Sequence, residues 1–468
     1  MDTKTIKIAV ISDLHVMAPQ LLLSEGAPFE EYLTRDRKML RESAEILDTL
    51  VNEITDAQPQ LVLVTGDLTK DGERVSHQLV ARQLQRLVDH GIQVLVVPGN
   101  HDINNPDAKV FDGDATIPVD TITRSEFATI YRDMGYDDCS RHDADSLSYC
   151  RDVAPGLTVL AIDACMDRLN TFVSRGDARD HCKTSGRLEA STQQWLVDQA
   201  SRATSRGNRV IAMMHHHLVP HFHMEDTLAA PYMTDDASQL CQRLVDAGVH
   251  VIFTGHLHIS DICQTSYPQG KMVEIATAAA VGYPCQWRIA TCNPSAGKLQ
   301  LRTMTLHSLP SDADFGEHAR NAFINCIPTM THGVLNRYWP EISQAIDNYT
   351  AKHPFMMRYV QLPDSPEAIA KLLLEHLQEP VTRAYITFAE GNEGGSDTSR
   401  LVEEIVNGVN HIVDATVRGI LRPLAKAALR LRIYGTARLV LRSILEDRND
   451  IGSKHEAVIN DHTAIIKI

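Results

Sequence analysis

Over roughly its first 300 residues the chain alternates short β-branched apolar runs with longer stretches whose apolar positions recur every three or four residues. The short runs Ile6 to Ile11, Leu61 to Thr65, Val94 to Val97, Leu157 to Ile162, Val210 to Met214 and Val249 to Phe253 predict strands. Between the first two, Leu40, Ala44, Leu47, Leu50, Val51 and Ile54 share one face of a predicted helix, and Leu79, Val80, Leu84, Leu87 and Val88 do the same before the third. This alternation is the pattern of an α/β layered domain. Met272 to Ala276, Trp287 to Ala290 and Leu299 to Thr305 read as further strands with no helices between them. The sheets are therefore expected to be mixed, two packed sheets flanked by helices accommodating them all.

From Ser311 the period becomes helical, and Val402, Ile405, Val406, Val409, Ile412, Val413, Val417 and Ile420 form one apolar stripe. We read residues 1–310 as the α/β domain and 311–468 as a mainly helical one, with Pro380 and the Gly391, Gly394 and Gly395 loop separating helices. Arg438 to Ile468 alternates enough to form a hairpin. A length of 468 residues suits one large and one smaller domain. Composition then narrows the class: 45 basic against 60 acidic side chains give a formal charge of −15, a poor start for tracking a nucleic acid polymer. Nine cysteines with no CxxC pair favour a reducing compartment. Neither an apolar signal core before Ile6 nor a run of about 18 apolar residues is found, so a soluble cytoplasmic protein without a membrane partner is expected.

The chemistry lies just past the strands. Ile11 leads to Ser12, Asp13, Leu14 and His15; Thr65 to Gly66 and Asp67; Val97 and Pro98 to Gly99, Asn100, His101 and Asp102. Met214 leads to His215, His216 and His217, and Thr254 to Gly255, His256, Leu257 and His258. Groups that follow strand ends in an α/β sheet converge on one rim, so these clusters can meet although they are distant in sequence. Convergence would give one metal Asp13, His15 and His258, a second metal Asn100, His215 and His256, and both the Asp67 carboxylate. Nitrogen and oxygen donors of this kind suit Mn²⁺, Fe²⁺ or Zn²⁺ rather than Ca²⁺. Two divalent ions against two carboxylates leave a charge of about +2, which attracts phosphate.

Asp13-x-His15, Gly66-Asp67, Gly99-Asn100-His101-Asp102, the His215 cluster and Gly255-His256-x-His258 resemble the calcineurin-like metallophosphoesterases piece by piece and in order. The strings GDLTKDGE from Gly66 and GNHDINNP from Gly99 look most like the class III cyclic nucleotide phosphodiesterase branch, which includes members with a C-terminal helical domain. The resemblance implies an αββα two-sheet sandwich over about residues 5 to 305, with a dinuclear site held by Asp13, His15, Asp67, Asn100, His215, His256 and His258. It also implies hydrolysis of a phosphodiester, a cyclic nucleotide leading among small phosphorylated substrates, through attack by a hydroxide shared between the ions. His101 then serves as proton donor or transition-state stabiliser, with Asp102 as the carboxylate to orient it. His216 is the alternative to His215. The tyrosine that the purple acid phosphatase branch places three residues after the bridging aspartate is Lys70 here, so no Fe³⁺-tyrosinate chromophore is expected.

Rival readings stay in view. A phosphomonoesterase or a nuclease can use the same centre, and a scaffold protein can keep the fold without catalysis. His217, His221 and His223 either line the substrate channel or form polar surface. Asp163 supports the site or a turn, and residues 103–149 form a lid or a surface excursion. Arg418, Arg422, Lys426 and Arg430 repeat every four residues and read as a solvated helix face. The helical domain offers a surface through which copies of the chain can associate.

Overall fold

The apolar runs fold as strands, and the computed structural model describes residues 5–35, 37–137, 141–172, 182–222, 225–355, 359–391, 398–419 and 461–468, with isolated positions between 422 and 445. The strands are β1 (Ile6–Ile11), β2 (Leu22–Ser24), β3 (Leu61–Val64), β4 (Gln93–Val96), β5 (Lys109–Asp112), β6 (Ala115–Pro118), β7 (Tyr149–Ala154), β8 (Leu157–Ile162), β9 (Arg209–Met214), β10 (Val249–Thr254), β11 (Asp261–Tyr267), β12 (Gly270–Ala276), β13 (Gln286–Asn293), β14 (Lys298–Thr305) and β15 (Thr463–Lys467). One six-stranded sheet has the order β15-β14-β13-β1-β3-β4, a second β11-β12-β10-β9-β8-β7, and a small third β2-β5-β6. In the first, β1, β3 and β4 are parallel and β13 joins β1 antiparallel. In the second, β8, β9, β10 and β12 are parallel. Both sheets are mixed, and each gathers the carboxyl ends of its parallel strands on one rim.

Period-two geometry explains the layering. Leu157, Val159 and Ala161 of β8 enter the same apolar core as Val10, Leu63 and Leu95 of the first sheet, whereas Leu160 and Ile162 point the other way. There they meet Leu196, Ala200, Leu240 and Leu244 from the helices Ala190–Ser205 and Ala237–Asp246. On the far side of the first sheet, the helix Ser43–Ala57 buries Ile46, Leu47, Leu50, Val51 and Ile54, a stripe at helical spacing. The result is a helix–sheet–sheet–helix sandwich, followed by a helical region, as the sequence pattern led us to expect. Residues 103–149 contribute β5, β6 and the helix Arg124–Ile130, which starts at a capping box between Thr123 and Glu126.

The chain divides into two compact units, one of residues 1–30, 38–320 and 448–468 and one of 31–37 and 321–447. A single boundary at 310/311 misses the return of the chain to the first unit. β15 pairs antiparallel with β14, Ile466 opposite Leu299. Its alternation explains the placement: Ala464 and Ile466 are buried and Thr463, Ile465 and Lys467 are exposed, as in a half-buried edge strand. Arg438, the other end of the expected hairpin, lies outside the described residues. In the second unit, Ser365 caps the helix Pro366–Glu390 by accepting from Ala368 N, and Gly391 ends it at φ 70°. That helix runs through Pro380 instead of stopping there: one backbone bond is lost, but the buried Ala384, Ile386 and Phe388 keep the segment packed. Gly394, Gly395, Ile420, Lys426 and Arg430 lie outside the described residues. The helix Thr398–Thr416 stops before Arg418, so Arg418 and Arg422 do not continue its face. No described helix is long and apolar enough to cross a membrane.

Candidate metal centre

Loops after β1, β3, β4, β9 and β10 meet here, and backbone bonds join the first to the second and the fourth to the fifth. Asp13 N donates to Gly66 O at 3.1 Å, His15 N to Asp67 O at 2.9 Å, and Gly255 N to His215 O at 3.1 Å. Side chains add further ties: Asp13 accepts from His256 N at 3.0 Å, across the two sheets, and Asp67 Oδ1 accepts from His101 N at 2.9 Å, between the β3 and β4 loops of one sheet. Asp13, His15, Asp67, His256 and His258 all sit at positive φ, between 36° and 71°. Such conformations cost on the order of 1–3 kcal/mol each and persist only where the surroundings hold them. Five such residues meeting in one place mark a site whose donor directions are imposed by the fold. Close approach requires glycine twice: a Cβ on Gly99 would overlap the Asp67 carboxylate, and one on Gly255 would overlap Ser12 and Asp13.

All seven expected ligands are brought together. His15 Nε2 lies 3.7 Å from Asp13 Oδ1 and 3.2 Å from His258 Nε2, and His258 Nε2 lies 3.1 Å from Asp13 Oδ1. His215 Nε2 lies 3.1 Å from Asn100 Oδ1 and 3.3 Å from Asp67 Oδ2. The His256 ring is 4.5 Å from that of His215. Asp67 Oδ2 is also 3.5 Å from His15 Nε2, so it stands between two donor sets. These spacings can be compared with an ion's own geometry. At a metal–ligand distance of about 2.1 Å, neighbouring donors at roughly 90° to 109° are about 3.0 to 3.4 Å apart. The groups thus fit a pair of divalent ions in both spacing and chemistry. His215 Nδ1 donates to Thr65 O at 2.9 Å and His256 Nε2 to Pro231 O at 3.2 Å, which leaves the opposite nitrogen of each ring to the site. Burial pushes Asp13 and Asp67 up, but the surrounding imidazoles outweigh it and hold both carboxyls well below the usual range. Burial takes His15 down to about 3, the neutral form that ligation requires.

His101 stands at the rim, its side chain 25% exposed and its Nδ1 3.0 Å from Asp71 Oδ1. Here the structure corrects the expected partner. Asp102 is spent on the backbone: it accepts from Gly99 N at 2.8 Å, Leu68 N at 3.1 Å, and Thr69 N and Oγ1, both at 2.9 Å. It ties the β3 and β4 loops together and does not touch the His101 ring, so orientation falls to Asp71. Burial and the Asp67 charge push Asp102 up to about 7. Asp71 is itself held by buried Lys70, which also pairs with Glu73 at 2.9 Å. The signal for Asp71 was in GDLTKDGE, four residues after Asp67.

The consecutive histidines separate by direction. His215 faces Asp67 and Asn100, whereas His216 Nε2 donates to Thr184 O at 3.0 Å. His217 and His221 neither line a channel nor sit on the surface. They are buried among Glu225, Asp261 and Glu274, with His217 Nδ1 3.0 Å from Glu225 and His221 Nδ1 2.6 Å from Asp261. His223 lies outside the described residues. Asp163 accepts from Leu147 N and Cys165 N, both at 3.0 Å, and pairs with Arg124 at 2.8 Å, so it secures a turn. No local pattern announces Pro231 and Tyr232, which pack against His256 from about 25 residues away.

The model of the calcineurin-like phosphoesterase family matches residues 6–260. Among solved structures, a dimetal phosphatase from Danio rerio is 16% identical, with 64% of this chain and 96% of that one covered at a TM-score of 0.45. A phosphopantetheinyl hydrolase from Mycobacterium tuberculosis is 14% identical, with 58% and 89% covered at a TM-score of 0.27. No curated protein matches the chain significantly. Matched over more than half of its length, this chain belongs to the calcineurin-like phosphoesterases, metal-dependent hydrolases that work with a dinuclear centre.

Proposed function

We propose that the protein hydrolyses phosphodiester bonds of cyclic nucleotides at two divalent ions. Asp13, His15 and His258 hold one ion, Asn100, His215 and His256 the other, and Asp67 both. The observation that carries this reading is the position of Asp67 Oδ2, 3.5 Å from His15 Nε2 and 3.3 Å from His215 Nε2, a single carboxylate facing two donor sets. When bound, ions of the Mn²⁺, Fe²⁺ or Zn²⁺ kind polarise the phosphoryl oxygens and make a water-derived nucleophile available at neutral pH.

The chain's own residues supply the rest. Tethered to Asp71 through Nδ1, His101 presents Nε2 to the substrate and gives its proton to the oxygen that leaves phosphorus. Asp71 is a positioning residue and Asp102 a brace between loops. The strings GDLTKDGE and GNHDINNP support a cyclic nucleotide as the substrate, and a charge of −15 supports a small phosphoester over a polymer. Nine cysteines without a CxxC pair support a cytoplasmic setting. The test is metal analysis joined to a substrate panel of cyclic nucleotides, model mono- and diesters and DNA, with Mn²⁺ added. Two equivalents of metal with preferred turnover of cyclic nucleotides are expected. Preference for monoesters would move the assignment to a phosphomonoesterase on the same centre. A fully metallated sample inert towards every phosphoester would end it.

A further inference from the structure

Tyr232 lies beside the metal centre without belonging to the donor set. Its ring centroid is 4.8 Å from that of His256, with 50° between the planes, and the residue is only partly buried. Its backbone is fixed on both sides: Tyr232 N donates to Ala229 O at 2.9 Å, and Tyr232 O accepts from His217 N at 3.1 Å. Thr234 N donates back to His217 O at 3.0 Å, which locks the segment to the loop carrying His215. Pro231 O accepts from His256 Nε2, so the orientation of that imidazole is already accounted for without the tyrosine ring.

We infer that Tyr232 is a specificity-determining residue, the wall on which the aromatic base of a nucleotide stacks while its phosphate occupies the metal centre. The inference rests on the phosphoesterase reading above and names the residue that recognises the base of its nucleotide substrate. A ring held in place before binding loses little freedom when a ligand stacks on it. A nucleotide has the matching halves, an anion for the cationic centre and a flat π-face for the tyrosine. Stacking of this kind corresponds to roughly 10- to 100-fold in affinity when the ring is removed.

The test uses the full-length, metal-loaded protein and calorimetric titration with two probes, AMP and inorganic phosphate. Tyr232→Phe keeps the ring and should bind AMP as the wild type does. Tyr232→Leu keeps an apolar side chain against His256 but has no π-face; it should lose roughly 10- to 100-fold in AMP affinity and little in phosphate affinity. Equal weakening of both probes in Tyr232→Leu would make the residue a prop for His256 and overturn the inference, as would unchanged AMP binding. Because binding is read independently of turnover, a protein that stacks AMP yet cleaves no phosphoester would refute the activity and leave the base wall standing.

Discussion

Asp71→Asn tests most directly how the rim of the site is built. The substitution keeps size and shape, leaves an amide oxygen 3.0 Å from His101 Nδ1, and removes the negative charge. Lys70 does not become an isolated buried cation, because Glu73 remains 2.9 Å away, so the fold should survive. The interaction lost at His101 is one charge-assisted hydrogen bond, about 1.5–3 kcal/mol, and turnover should fall roughly 10- to 150-fold. His101→Ala removes the proposed proton donor and should reduce kcat by about 10²- to 10⁴-fold with metal content unchanged. Because Asp71 acts through His101, the double variant should be no slower than His101→Ala alone. Steady-state kinetics on all four proteins, with metal counted by plasma mass spectrometry, close the cycle. Multiplying losses, or loss of bound metal in Asp71→Asn, would refute the pairing.

Asp67→Ala removes the carboxylate shared by both donor sets, so metal content should drop below two equivalents and activity should vanish together with it, as elemental analysis and turnover will show. Gly99→Ala should impair folding or metal uptake although it adds only a methyl group, because the new Cβ overlaps the Asp67 carboxylate; circular dichroism and metal analysis report each. Chelation should abolish turnover, restore it on adding Mn²⁺, and lower the melting temperature, since a ligand bound only by the folded state stabilises it. Asp461→Ala leaves the buried Ile262 N–H without its 2.7 Å partner and should destabilise the protein by about 1–3 kcal/mol in urea, with metal content unchanged in the folded protein before heating.

How much of this was legible in the chain depends on whether an interaction is announced by its own residue or by a distant one. β1, β3, β4, β9 and β10 showed in their apolar runs, and the seven donors showed because a site on a sheet rim draws on whatever follows each strand. The direction of a side chain has no such signature. Asp102, next to His101 in sequence, was the natural partner, yet the turn at Gly99 to Asp102 aims its carboxylate at three donors of the neighbouring loop and at Gly99 N of its own. Asp71 reaches the ring from another strand end.

The last strand makes the same point at the scale of the fold. Its alternation marks a half-buried strand, but the partner, β14, lies about 160 residues earlier and nothing in the local pattern names it. What fixes the pairing is burial that appears only after folding. Asp461, just before β15, is buried against Ile262, and its carbonyl accepts from Thr303 at 3.0 Å and from the guanidinium of buried Arg288. Arg288 also donates to Ala276 O at 2.6 Å, at the end of β12 in the second sheet. A residue near the end of the chain thereby helps to join the two sheets whose rims carry the donors. If that is its role, loss of Asp461 should show first as lower stability and only then as weaker metal retention on heating. The reverse order would mean that the tail acts on the centre itself.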